Sequence, residues 1–177
     1  RRVITASADQ TARVWDADTG DPVTPPLVHK KAVNSAIFSP DGRTVVTASG
    51  NPYGEEGEAE VRIWDAVSGA SVTPPFRHGG SVKFATFSPD GRHVVTASAD
   101  RTARVWDAST GEPASPPMKH DHWVYHADFS PDGRRVVTAS FDLTARVWDA
   151  STGEPITPPM KHEAGCVLYH ASFSPDG

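Results

Sequence analysis

The stretch SPDGRRVVTASFDLTARVWDASTGEP, residues 130–155, decides how the rest of the chain is read. It contains two short β-branched runs, RRVVTAS at 134–140 and TARVWD at 144–149, each bounded by turn residues. In the second run Ala145 and Val147 alternate with Thr144, Arg146 and Trp148, the period-two pattern of a half-buried strand. PDG at 131–133 and STG at 151–153 carry the Pro, Asp and Gly that tight turns require. Upstream lies another short run, WVYHADF at 123–129, and downstream a segment with a proline pair at 158–159. Proline has no N–H to give to a ladder, so that last strand belongs at a sheet edge, where it also blunts pairing by other strands. The phrase therefore predicts four short strands, a to d, with d outermost. No segment keeps a 3.6-residue apolar period, and proline recurs too often for helices.

The phrase is repeated along the chain. Trp-Asp pairs begin at Trp15, Trp64, Trp106 and Trp148, spaced 49, 42 and 42 residues apart. SPDG begins at Ser39, Ser88, Ser130 and Ser174, and proline pairs begin at Pro25, Pro74, Pro116 and Pro158. A histidine follows each proline pair: His29, His78, His120 and His162. Units cut near the PDG turns span 1–42, 43–91, 92–133 and 134–177. A four-stranded antiparallel sheet repeated at this period is the sequence signature of a β-propeller, so the fold class expected is all-β, with four blades' worth of strands, sixteen in number, per chain.

The chain ends on SPDG (Ser174–Gly177) and begins on RRVITAS (Arg1–Ser7). Joined, these restore SPDGRRVVTAS of 130–140 with one Val-to-Ile change. The expectation is that the fold closes across this join. Three closures are open: one chain as four blades, two chains as an eight-bladed homodimer, or the chain as part of a larger propeller. Four blades demand a steep angle between sheets that prefer near-aligned packing, which favours the eight-bladed or larger ring.

Composition narrows the function classes. The 177 residues are 37% hydrophobic and 22% charged, with 16 Pro and 14 Gly, which suits a turn-rich globular protein. No apolar run is long enough to span a membrane, so no membrane role is expected. The net charge is −5 and no Lys/Arg cluster stands out, which argues against nucleic acid as a partner. Cys166 is the single cysteine, so no internal disulfide can form; a reducing, cytoplasmic setting fits.

The histidine at the head of each unit, FSPDG, an acidic residue six before a tryptophan, and Trp-Asp together resemble the WD-repeat propeller family, and do so over nearly the whole chain. In that family a His, a Ser/Thr, an Asp and the Trp form a buried hydrogen-bonded tetrad in each blade. The resemblance implies the sets His78, Thr96, Asp100, Trp106 and His120, Thr138, Asp142, Trp148. In the first unit Thr5, Asp9 and Trp15 match, and His162 is the histidine left to serve them. The second unit departs from the pattern: His29, Thr47 and Trp64 match, but Glu58 stands where Asp is expected, on a turn seven residues longer. The near-identity of the units resembles amplified bacterial WD-repeat arrays. Ser/Thr, His and Asp are also the ingredients of nucleophilic catalysis, but these sets recur in every unit whereas a catalytic site is built once, so no enzyme and no catalytic residue is expected.

Positions that differ between units are the candidates for function. On the face where His and Asp meet, the fourth unit carries His122, Trp123, Tyr125 and His126, then Phe141 and Leu143; the closing segment adds Tyr169 and His170. Exposed aromatic residues of this kind suit protein or peptide partners; the plain alternative is inner-strand core. His120 and His122 share a strand face and could ligate a metal together, but His120 is taken by its tetrad. The glutamates within 55–60 suit a solvated hairpin tip more than a cation site. No metal and no cofactor is expected. The leading function is a non-catalytic interaction scaffold that also self-associates through end-to-end ring closure. The alternatives are a ligand, metal or hydrolytic site on the His-rich face, and an excised or designed propeller fragment with no native ligand.

Overall fold

The computed structural model describes residues 1–54, 59–162 and 166–177. It holds four antiparallel sheets. The first comprises β1 (Arg2–Ala6), β2 (Thr11–Asp16) and β3 (Leu27–Val28). The second comprises β4 (Val33–Phe38), β5 (Thr44–Ser49), β6 (Ala59–Asp65) and β7 (Phe76–His78). The third runs β8 (Val82–Phe87), β9 (His93–Ser98), β10 (Thr102–Asp107) and β11 (Met118–Lys119). The fourth runs β12 (Val124–Phe129), β13 (Arg135–Ser140), β14 (Thr144–Asp149) and β15 (Met160–Lys161). Each sheet is a simple meander, and β3, β7, β11 and β15 are the outer edges; the proline pairs stand just before these strands rather than within them. They are only two or three residues long, because the paired prolines before them leave few N–H groups to bond. A unit cut at its PDG turn supplies b, c and d of one sheet and a of the next.

Fifteen strands are described rather than sixteen. The segment 166–173, the expected final a strand, has no β-partner among the described residues. A strand is defined by its ladder, and among the described residues no edge pairs with this segment.

Two turn chemistries repeat. In SPDG, Ser88 Oγ donates to Asp90 Oδ1 at 2.6 Å and accepts His93 N–H at 2.9 Å, while Gly91 takes φ +72°, where a side chain is strained. In the WD turn, Asp107 Oδ1 accepts the N–H groups of Ser109 at 2.8 Å and Thr110 at 2.9 Å. The aspartate of the Trp-Asp pair is therefore a turn former.

The sheets stand side by side in chain order, with β1 against β4, β4 against β8, and β8 against β12. The cores lie in the seams. Val61, Ile63 and Phe76 of the second sheet pack on Val82, Val94 and Trp106 of the third. Val105 and Met118 of the third pack on Val124, Val136 and Trp148 of the fourth. The seam beyond the fourth sheet is thin, with Ala139 and Ala145 meeting Leu168 and Ala171. This is a radial, propeller arrangement. No helix among the described residues is long and apolar enough to cross a membrane.

Candidate functional site

The d–a loops and b–c turns gather on one face, the upper face, and the tetrad residues lie beneath it. In the fourth sheet His120 reaches Asp142 Oδ2 through Nδ1 at 2.7 Å and Thr138 Oγ1 through Nε2 at 2.7 Å. Trp148 Nε1 donates to the same hydroxyl at 2.8 Å. The third sheet repeats this with His78, Asp100, Thr96 and Trp106, at 2.8, 2.7 and 2.9 Å. An ionised carboxylate accepts only, so His120 Nδ1 donates to Asp142 and Nε2 accepts the Thr138 O–H. Burial holds the His120 imidazole below its usual pKa, against the pull of Asp142. Burial also opposes ionisation of Asp142, but hydrogen bonds from Thr144 and His120 outweigh it and bring that carboxyl to about 2. Asp100 lies well below the carboxylate range: burial is again outweighed, here by the bond from His78 and its charge interaction and by the bonds from Thr102.

The second sheet keeps His29 Nε2 at 2.7 Å from Thr47 Oγ1 and Trp64 Nε1 at 2.8 Å from the same oxygen. Its acidic partner, Glu58, lies outside the described residues, and among the described residues His29 Nδ1 has no hydrogen-bond partner. Burial first, and Arg62 second, push His29 down to about 4. The sequence placed Glu60 with the other glutamates of 55–60 on a solvated hairpin tip; instead it lies in β6, where it replaces the threonine of the other sheets (Thr11, Thr102, Thr144). It is 4% exposed and binds Arg62 Nε at 3.0 Å, with Arg77 at 3.8 Å. The signal was its place four residues before Trp64, level with three threonines that bond their aspartates. So paired, it is not available to a cation.

The first sheet is incomplete. Trp15 Nε1 donates to Thr5 Oγ1 at 2.9 Å, and Asp9 accepts Thr11 Oγ1 at 2.7 Å. His162 follows β15 as His120 follows β11, but it is exposed and, among the described residues, makes no hydrogen bond to Thr5, Asp9 or Trp15.

The candidate binding residues divide into two groups. Trp123 and Phe141 meet edge to face at 5.4 Å, Tyr125 and Phe141 at 5.3 Å, Tyr125 and Tyr169 at 5.1 Å, and Phe141 and Tyr169 at 5.7 Å. Trp123, Tyr125 and Phe141 are half-buried, and Tyr169 is 58% exposed. His122 tilts against Trp123 and Phe141, and its Nδ1 accepts the Trp123 N–H at 2.8 Å, which does not favour metal ligation with His120. Leu143 takes φ +68° in the b–c turn beside this cluster. The second group lies deeper: buried His126 lies between Phe84, at 4.3 Å, and His170, at 4.1 Å, tilted against both rings. Burial, then the neighbouring His170, push His126 down to about 4. Among the described residues no three His, Cys, Asp or Glu side chains gather as a metal site.

A β-bulge in each inner strand, at Asn34, Lys83 and Tyr125, places Tyr125 on this rim. Each bulged residue reaches a neighbouring segment. Asn34 Nδ2 donates to Val82 O at 2.7 Å. Lys83 Nζ donates to Asn51 O at 3.0 Å and Pro52 O at 3.1 Å, and lies 5.0 Å above the Trp123 ring.

Repeated four-stranded blades, each carrying a threonine that accepts a tryptophan N–H, define a repeat propeller. The family model for the WD domain, G-beta repeat (WD40), matches residues 22–65, 72–107 and 116–149, and the chain belongs to that family. Among solved structures it is similar to the computationally designed Ika8 protein, at 24% identity and a TM-score of 0.78, a likeness that shows the fold alone. The match covers 92% of this chain and 47% of that one, so this chain spans about half the length of that relative.

Proposed function

We propose that the chain is a WD-repeat interaction scaffold that offers the aromatic cluster of Trp123, Tyr125, Phe141 and Tyr169 to a protein or peptide partner. The observation that carries this reading is the edge-to-face packing of four partly exposed rings on the upper face. Rings held by one another lose little rotamer freedom on binding, which suits them to anchor an interface. The equivalent positions in the third blade are Ser81, Lys83 and Ala99, so that blade carries no such cluster, whereas the tyrosine of the fourth recurs as Tyr169 in the closing segment. The same reading holds that the arc self-associates end to end, so that a complete ring presents this surface.

The tetrads serve the fold in this reading. Thr96 and Thr138 are 0% exposed and their oxygens already accept a tryptophan N–H, so no substrate can reach them as nucleophiles. The rival ligand or metal site draws on the convergence of His126 and His170, but His122 does not join them.

A displayed random-peptide library tests the scaffold reading. Peptides selected on the native chain should lose at least tenfold in affinity for the Phe141→Ala and Trp123→Ala variants, with circular dichroism unchanged. Selected peptides that bind both variants as well as the native chain would refute it.

A further inference from the structure

The lower face, opposite the aromatic cluster, carries the SPDG and WD turns. There the seam between the first and second blades is filled from within. Arg2, the first residue of β1, reaches across it onto the second blade. Its Nη1 donates to Ala66 O at 3.1 Å and its Nη2 to Gly42 O at 2.9 Å, and the guanidinium carbon lies 5.6 Å from the centre of the Phe38 ring. The next two seams repeat these acceptors. Gly91 and Gly133 take φ +72° and +73°, as Gly42 takes +71°. The N–H groups of Gly42, Gly91 and Gly133 donate to the serine carbonyls of their SPDG turns at 2.8, 2.9 and 2.8 Å. Ala108 N–H bonds Arg92 O and Ala150 N–H bonds Arg134 O, both at 2.9 Å, as Ala66 N–H bonds Arg43 O. The glycine and alanine carbonyls thus sit in the same turns in all three seams, and Phe87 and Phe129 occupy the sequence position of Phe38.

What differs is the residue that reaches in. Thr44 of the second blade and His93 of the third stand where the first has Arg2, and both are too short to make its contacts. The second seam keeps a groove of about 540 Å³, lined by Thr44, Ile63, Val72, Phe87, Gly91 and Ala108. The third keeps one of about 390 Å³, whose walls include His93, Phe129, Gly133 and Ala150. The larger groove is acidic at its mouth. Asp107 lines it, and an adjoining recess that shares Thr44 and Gly91 is edged by Asp41 and Asp90. Arg92 lines it too, but its counterpart Arg43 does not keep Arg2 out of the first seam. We infer that the groove between the second and third blades binds the arginine side chain of a protein or peptide partner, its guanidinium donating to Gly91 O and Ala108 O and lying against Phe87 as Arg2 lies against Phe38. A lysine ammonium is a compact point charge and lacks the planar fork that meets two carbonyls and a ring together.

The groove uses no residue of the aromatic cluster, so either site can fail alone. The test is a nuclear magnetic resonance titration of the isotope-labelled chain with N-acetyl-arginine methylamide, and with the matching blocked lysine as control. A lone side chain binds weakly, with a Kd on the order of 1–10 mM. The arginine probe should shift the backbone amides of Gly91 and Ala108 and bind roughly tenfold more tightly than the lysine probe. Thr44→Arg, which gives the second blade the residue the first already carries, should abolish those shifts with the circular dichroism spectrum unchanged. Arg2→Thr should do the reverse: it empties the first seam, so that the amides of Gly42 and Ala66, silent in the native chain, respond to the arginine probe. Silence at Gly91 and Ala108, an equal response to lysine, shifts that persist in folded Thr44→Arg, or silence at Gly42 and Ala66 in Arg2→Thr would each overturn the inference.

Discussion

Thr138→Val isolates what a tetrad contributes. Thr138 is 0% exposed, and its oxygen lies 2.8 Å from Trp148 Nε1, 2.7 Å from His120 Nε2 and 3.4 Å from the Arg146 carbonyl. Valine keeps the branched shape and removes the oxygen, so the cavity term is small. The indole N–H and the imidazole nitrogen are then both stranded away from water. A net hydrogen bond contributes about 0.5–1.5 kcal/mol, and an orphaned buried group costs about 1–3 kcal/mol. The two losses share one relaxation and do not add fully, which gives a loss of about 3 kcal/mol. For a chain of this length that lowers the thermal midpoint by roughly 6–12 °C. Urea unfolding followed by circular dichroism, at fixed protein concentration, reads the change. Thr138→Ser, which restores the hydroxyl, should recover most of it. A loss below about 1 kcal/mol for valine, or equal losses for valine and serine, would show that the oxygen is not the junction described.

Acid should weaken the second blade before its carboxylates protonate. Free imidazole titrates near pH 6.5, whereas His29 is held neutral to about 4. Between these values the unfolded chain binds a proton that the folded chain does not, so stability falls as pH is lowered through that window. From pH 6.5 to 4.5 the native chain should lose roughly 2 kcal/mol more than His29→Gln; parallel stability curves would contradict this. Two turn glycines separate backbone strain from packing. Gly20 and Gly153 take φ +78° and +69°, but only at Gly153 would a side-chain carbon meet a neighbouring carbonyl, Pro116 O, at 2.5 Å. Gly20→Ala should cost about 1 kcal/mol and Gly153→Ala clearly more when urea midpoints are compared; equal costs would mean the seam gives way freely.

The blade was legible because it is written in local terms. SPDG, STG and the paired prolines each fix a turn or an edge within a few residues, and four copies of the phrase leave no competing period. The third and fourth tetrads were legible through family resemblance, and the structure brings those residues within hydrogen-bond distance. Glu60 was not legible, because its role depends on Arg62 and Arg77 arriving on one side and on the burial that makes a charge need them. Tyr125 was ambiguous between core and rim until the bulge at that position turned it upward, and a bulge depends on the register of two strands rather than on one. The aspartates of the Trp-Asp pairs carry the motif's name yet sit in solvent-facing turns, while the tryptophans reach into the seams.

By itself the sequence determined the unit: four short strands, their turns, the outer edge marked by proline, and the residues able to bond beneath one face. Strand period and turn chemistry are short-range, so a single chain read in order suffices for them. Only the tertiary structure decided which surfaces are covered. Met118 and Met160 both sit in PPMKH, yet one is buried and the other 44% exposed. Burial is a property of what stands opposite, and for Met160 nothing in its own neighbourhood of the chain says what that is.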